Sequence, residues 1–141
     1  MKGAARVFLD ANVLFFAALG GPLFQRLWLL AEHQRVVLLT SAHCLDEALR
    51  NVTRKRPVAT DALTQCAAAV LIVAEGDVER QVWARALLPE HDAPVLAAAV
   101  DARAHALITG DVKHFGPLMA RTDLPLRVRT IRNFFLEGPG R

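Results

Sequence analysis

Tyrosine is absent from these 141 residues, and cysteine, tryptophan and methionine occur twice each. Cys44 and Cys66 lie in separate apolar segments with no CxxC or Cys/His spacing. That disfavours a zinc site and predicts buried, reduced thiols rather than a disulfide. Seven Phe and two Trp complete the aromatic set. Because Phe15, Phe16, Phe24 and Trp28 fall at helix-core spacing, no base-stacking platform is expected. No run approaches the roughly 18–20 apolar residues a membrane helix needs. Lys2 and Arg6 ahead of an apolar stretch mimic a secretory leader, but Asp10 and Asn12 interrupt its hydrophobic segment, so export is not expected and a cytoplasmic protein is. Neither charge sign dominates: 17 Lys and Arg against 14 Asp and Glu give +3, which permits a polyanionic partner without naming one. There are no repeats, low-complexity segments or dividing linkers, and the length predicts a single domain over residues 1–141.

What is present is apolar patterning. The 53% hydrophobic content excludes glycine, yet it already exceeds the roughly 45–50% usual for a count that includes it, so disorder is excluded. Arg6 to Asp10 reads as a strand ending in a carboxylate, with a helix opening at Asn12. Gly20-Gly21-Pro22 breaks the chain before a second helix reaching about His33. Val36 to Leu39 fits a strand buried on both faces, bounded by Thr40-Ser41. Ser41 is a plausible cap for a third helix, which carries Leu45, Ala48, Leu49 and Val52 on one face and is stopped by Pro57. Ala59 to Val70 reads as helix, Leu71 to Val73 as a short strand, Val78 to Leu88 as helix, and Pro89 to His91 as a loop. Pro94 suits the first turn of a helix over Val95 to His105. Ala106 to Thr109 and Arg127 to Ile131 are strands, with Asn133 to Leu136 a terminal turn. Strands alternating with helices predict a three-layer α/β/α architecture around a mostly parallel sheet of four or five strands, with function at the carboxyl edge.

Asp10 and Asp111 each terminate an apolar strand, and Asp92 sits in the loop before a helix. Glu47 falls on the rim of its helix's apolar face, about 60° from Cys44 at 100° per residue. Taken singly, Asp92 suits an N-cap, Asp111 a turn, and Glu47 a solvated helix surface. Asp10 resists such a reading, because stranding a charge at a buried strand end costs several kcal/mol unless it is paired or metal-bound. Together, four carboxylates at one edge would raise each other's pKa unless cations neutralise them, so the cluster predicts a metal. All-oxygen ligands suit a hard cation, Mg²⁺ or Mn²⁺. Such a cation screens a phosphodiester, activates water and stabilises the departing oxygen, so no protein nucleophile is required.

These residues carry a resemblance. Val7-Phe8-Leu9-Asp10-Ala11-Asn12-Val13-Leu14 resembles the opening of PIN-domain nucleases. Thr40-Ser41 followed by Glu47, then Asp92 with Val95 to Ala99, then Leu107-Ile108-Thr109-Gly110-Asp111 with His114-Phe115, are similar to that family's remaining blocks in order and approximate spacing. The likeness covers nearly the whole chain and extends to the compact proteins grouped with bacterial VapC-like toxins. It implies a parallel sheet between helices and metal-dependent cleavage of RNA. It also implies Asp10, Glu47, Asp92 and Asp111 as the catalytic, metal-binding acids, with Asn12, Ser41 and Thr109 orienting carboxylates or waters. One departure stands out. Many relatives place a further acid shortly after the last turn, where this chain has Val112-Lys113-His114, which puts a second metal in question. Asp101 could substitute, but its mid-helix position, nine residues after Asp92, favours solvation.

A negatively charged centre needs basic residues around it to hold an RNA substrate. Arg50, Arg54, Lys55 and Arg56 beyond Glu47, and Lys113 and His114 after Asp111, are weak candidates for phosphate contact, since basic residues also suit a helix C-terminus. His43, His91 and His114 read as surface or loop residues, with His91 beside Asp92 the one to test. The apolar surplus suggests a covered partner surface, either a homodimer or a cognate antitoxin. The leading expectation is a ribonuclease toxin. A catalytically inactive PIN-like RNA-binding or scaffold module is the first alternative. A receiver-like phospho-acceptor domain is the second, weakened because the Val36 to Leu39 strand ends without an Asp.

Overall fold

Each strand end in the sequence marks a turn of the chain over one sheet edge. The computed structural model describes residues 3–138, so Lys2 of the leader-like opening lies outside the described residues. The strands are β1 (Ala5–Leu9), β2 (Val36–Ser41), β3 (Leu71–Val73), β4 (Ala106–Ile108) and β5 (Arg127–Arg129). The helices are α1 (Ala11–Ala18), α2 (Pro22–Glu32), α3 (Ala42–Lys55), α4 (Thr60–Ala67), α5 (Val78–Arg85), α6 (Ala93–Asp101), α7 (Val112–Met119) and α8 (Ile131–Glu137), with a 3₁₀ turn at Pro57–Ala59.

All pairings are parallel and the order is β3-β2-β1-β4-β5. Val7 lies opposite Leu38 and Phe8 opposite Leu107. A sheet built outwards from β1 in both directions has its crossovers on opposite faces, since each is right-handed. Helices α1–α4 therefore cover one face and α5–α7 the other, and α8 returns to touch α2. The three central strands are buried almost throughout, as expected when helices cover both faces, whereas Leu71 and Ile72 of edge strand β3 are exposed. This order also separates the chain from receiver domains, whose sheets run 2-1-3-4-5. No single helix among the described residues is long and apolar enough to cross a membrane.

Several local expectations need correction. The segment after Asp111, for which the sequence pattern predicts no element, forms α7. Asp111 caps it by accepting the His114 N–H, and Phe115 and Leu118 bury its inner face. Gly116-Pro117 disguises it, but Pro117 is exposed, so the bond it cannot make falls on the solvent side. The predicted terminal turn is helix α8, capped by Thr130, whose hydroxyl accepts the Asn133 N–H. Helix α6 ends at Asp101 rather than His105, because Arg103 adopts the left-handed region at φ 59°. Helix-core spacing does not bury every aromatic: Phe16 is 46% exposed and packs obliquely on Phe24, and Leu49 of the expected apolar face is 44% exposed. Cys44 is buried and free, whereas Cys66 is free but only half-buried.

Gly76, in the β3–α5 connection, is required by a close approach. A β-carbon there would lie 2.6 Å from Ala97 Cβ and 2.8 Å from that residue's carbonyl carbon. Gly76→Ala is therefore expected to destabilise the protein by about 1–3 kcal/mol, the usual cost of overpacking. A melting temperature equal to that of the parent would contradict this account of α5–α6 packing.

Candidate metal centre at the carboxyl edge of the sheet

Reversal of strand order between β1 and β4 opens the crevice in which open parallel sheets bind ligands. Asp10 closes β1 on one side of it, and Thr109-Gly110-Asp111 closes β4 on the other. Asp10 is 6% exposed and caps α1, its Oδ1 accepting the Ala11 N–H at 2.7 Å. Its Oδ2 accepts the Thr109 hydroxyl at 2.8 Å and the Asn12 amide at 3.3 Å. Burial nevertheless pushes the Asp10 carboxyl above its ordinary value of 3.8, outweighing those hydrogen bonds, with Glu47 and Asp92 adding repulsion.

Thr109, fully buried, links the two sides. Its Oγ1 donates to Asp10 and accepts the Asp111 N–H at 3.1 Å. Asn12 spans the same gap, donating towards Asp10 and Thr109 while its Oδ1 accepts the Gly110 N–H at 2.7 Å. Thr109→Val keeps the shape but strips Asp10 of a donor and leaves a backbone N–H unpaired. We expect it to weaken binding of a divalent ion about 10–100-fold, as loss of a ligand-orienting partner does. Titration of the folded variant with Mn²⁺ is the check, and a parental affinity would remove Thr109 from the centre.

Asp92 occupies the N-cap position of α6, but its side chain makes no capping hydrogen bond, which leaves the carboxylate free for other partners. Its carboxyl is raised above the ordinary value, first by burial, against which His114 works, with Asp111 and Glu47 among the repelling neighbours. Glu47 leans in from the second turn of α3, and its Oε1 lies 3.0 Å from His91 Nε2. The structure thus brings all four acids into one electrostatic neighbourhood. Among the described residues, their ion-pairing partners are histidines rather than Lys or Arg. That donor set fits a divalent cation: oxygen-rich, short of positive charge, and holding two carboxyls that favour protonation without one.

Other predicted positions fall elsewhere. Ser41 caps α3, its hydroxyl accepting the Cys44 N–H at 3.2 Å. Asp101 lies away from the centre, exposed at the far end of α6, where it accepts from the Asp77 N–H and from Arg80 Nε at 2.9 Å. Arg50 and Arg56 are exposed, Arg54 donates to Asn51, and Lys55 Nζ sits 5.9 Å from the Phe15 ring centre. Arg54 and Lys55 lie about two turns beyond Glu47, about 10 Å along the helix, and Arg56 follows the helix end. Lys113 is exposed at the start of α7.

Two residues at the centre escaped sequence reasoning. Cys44 Sγ lies 3.9 Å from Asp10 Oδ1, and burial first, then Asp10, pushes its thiol up to about 12. It is an inert wall of the site rather than a nucleophile. His114, predicted as a surface residue with a weak claim to phosphate, places Nδ1 2.9 Å from Asp111 Oδ2 and 3.0 Å from Asp92 Oδ2. Asp92, Asp111 and His114 offer three donor atoms within 4.8 Å of one another. The sequence signals for it are its place with Phe115 in the block after Asp111 and its i, i+3 spacing from Asp111, on a helix hidden by Gly116-Pro117.

A family model described as PIN domain matches residues 6–113. The chain belongs to the PIN domain family. Solved structures similar to this PIN domain include VapBC2 from Rickettsia felis bound to a DNA fragment from its promoter, 17% identical, with TM-score 0.69 over 89% of this chain and 98% of that one. VapBC-1 from nontypeable Haemophilus influenzae is 18% identical, with TM-score 0.59 over 90% and 98%. VapC20 from Mycobacterium tuberculosis, a sarcin-ricin loop cleaving toxin, is 17% identical, with TM-score 0.56 over 76% and 91%. No curated protein sequence matches the chain. At these identities the likeness establishes a shared fold, and the chemistry of this PIN domain has to be argued from its own residues.

Proposed function

We propose that this PIN domain is a divalent-metal-dependent ribonuclease, the toxin half of a cytoplasmic toxin–antitoxin pair. The observation that carries the reading is the gathering of Asp10, Glu47, Asp92 and Asp111 around one crevice with no lysine or arginine among the described residues to neutralise them. A scaffold has no use for that arrangement, because burying carboxylates near one another opposes folding. Asp10, Glu47, Asp92 and Asp111 would hold Mg²⁺ or Mn²⁺. When bound, such an ion supplies Lewis acidity and charge screening for phosphodiester hydrolysis. Thr109 and Asn12 keep the Asp10 carboxylate turned into the crevice. Lys113 and, farther out, Arg50 would meet phosphates flanking the scissile bond.

The antitoxin half of the proposal is supported by the shared fold with the VapBC structures and by apolar surface this chain leaves uncovered. Phe16, Leu19 and Leu23 at the α1–α2 corner, and Leu49 on α3, are each more than a third exposed. The test is cleavage of a structured RNA by the purified chain with Mn²⁺, with matched reactions containing EDTA or a DNA of the same sequence. Metal-dependent cleavage of the RNA is expected. Cleavage that survives EDTA would overturn the metal-dependent mechanism.

A further inference from the structure

We propose that His114 is itself a metal ligand, its Nδ1 joining the carboxylates of Asp92 and Asp111 in a mixed nitrogen and oxygen site that selects Mn²⁺ over Mg²⁺. The proposal rests on the metal-dependent reading above and adds a nitrogen donor to it. The ring nitrogen stands 2.9 Å from one carboxylate oxygen and 3.0 Å from the other. Adjacent ligands at right angles around a six-coordinate ion with bonds of about 2.1 Å are about 3 Å apart, so the nitrogen stands at ligand spacing from each carboxylate oxygen, and all three atoms lie within 4.8 Å of one another. These separations also suit hydrogen bonds from a protonated ring to both acids, and the two arrangements differ in whether nitrogen touches the ion.

The fold holds the ring in place. Asp111 accepts the His114 backbone N–H through Oδ1, at 3.1 Å, and faces the ring with Oδ2, so one residue fixes both ends of His114. Helix α7 begins at Val112, which turns position 114 back over the residue that caps it. From the other side of the crevice comes Asp92, whose carboxylate is free for this contact because it spends no oxygen on capping α6. His91 is the other ring near the acids, but its Nε2 is directed to Glu47. Mg²⁺ is held through oxygen and dehydrates reluctantly, whereas imidazole nitrogen is a donor to first-row transition ions, of which Mn²⁺ is the hardest and the weakest binder. Exchanging one oxygen for nitrogen therefore tilts selection towards Mn²⁺.

The test uses the full chain, stripped with EDTA and reloaded with Mn²⁺, and reads nitrogen coupling to the bound ion by electron spin echo modulation, with Mn²⁺ and Mg²⁺ affinities from calorimetry. Wild type should show ¹⁴N coupling that is lost in His114→Gln and His114→Asp and kept in His91→Gln. His114→Gln should weaken Mn²⁺ binding about 10-fold or more, and His114→Asp should restore tight binding with a lower Mn²⁺ to Mg²⁺ affinity ratio. Mn²⁺ bound without nitrogen coupling, or with coupling that survives both His114 substitutions, overturns the assignment and leaves the acid-centred reading standing. Failure of the wild type to bind Mn²⁺ overturns both.

Discussion

Replacing Asp10 by Asn is expected to lower RNA cleavage by about 10³-fold or more, while the protein stays folded. The side chain is nearly isosteric, and its Oδ1 can keep the Ala11 N–H. The Thr109 hydroxyl can rotate to accept from the new amide. What is lost is a full negative charge at the end of β1, between the elements that carry Glu47, Asp92 and Asp111. A Lewis-acidic ion contributes several kcal/mol to phosphodiester hydrolysis, and each 1.36 kcal/mol is tenfold in rate, so weakening the carboxylate proposed to hold it removes about three decades. Single-turnover kinetics, with Mn²⁺ affinity and circular dichroism measured on the same sample, is the appropriate measurement. A folded variant that cleaves at the parental rate would show that the acidic crevice is not the reaction centre.

The second large effect is a reversal of stability with metal. Burial raises the carboxyls of Asp10 and Asp92 in the folded protein above their ordinary value of 3.8. A folded-state pKa above the unfolded one means that the native protein holds its protons longer. The stability this confers is complete below the unfolded value and is lost as pH rises through the folded one. Metal-free protein therefore carries a penalty at neutral pH that it does not carry near pH 4. Asp92→Asn, which removes one of these charges without disturbing a cap, should stabilise the metal-free protein at pH 7 by about 0.5–2 kcal/mol, a common gain when a functional strain is relieved. That corresponds to a melting temperature higher by about 2–8 °C, with the gain vanishing near pH 4. With Mn²⁺ at about 100 times its Kd, wild type should gain about 2.7 kcal/mol and overtake the variant. If Asp92→Asn melts below wild type in EDTA at pH 7, then the attraction of His114 exceeds the burial cost and the centre is not short of positive charge.

Much of the sheet was legible because its strands are short apolar runs stopped by recognisable chemistry: Asp10 after β1, Thr40-Ser41 at the end of β2, and Gly110-Asp111 after β4. Buried parallel strands read as continuous hydrophobic runs, and the cap residues that follow them are local signals. Helix α7 was illegible because Gly116-Pro117 argues against a helix, and only its exposed side tolerates them. The exposure of Phe16 and Leu49 was hidden for a different reason. Periodicity identifies the apolar side of a helix but not whether another element covers all of it.

Asp10 at a strand end, Thr109 two residues before Asp111, and the spacing of His114 from Asp111 are set by residue order alone, because they depend on backbone geometry over a few residues. That Asp10 and Thr109 share a hydrogen bond across 99 residues of chain, and that His114 meets Asp92, follows from β4 being laid beside β1. Strand order is a property of packing among helices on both faces, to which every buried side chain contributes. For that reason His114 reads as an ordinary surface residue along the chain and as part of the acidic centre in the folded protein.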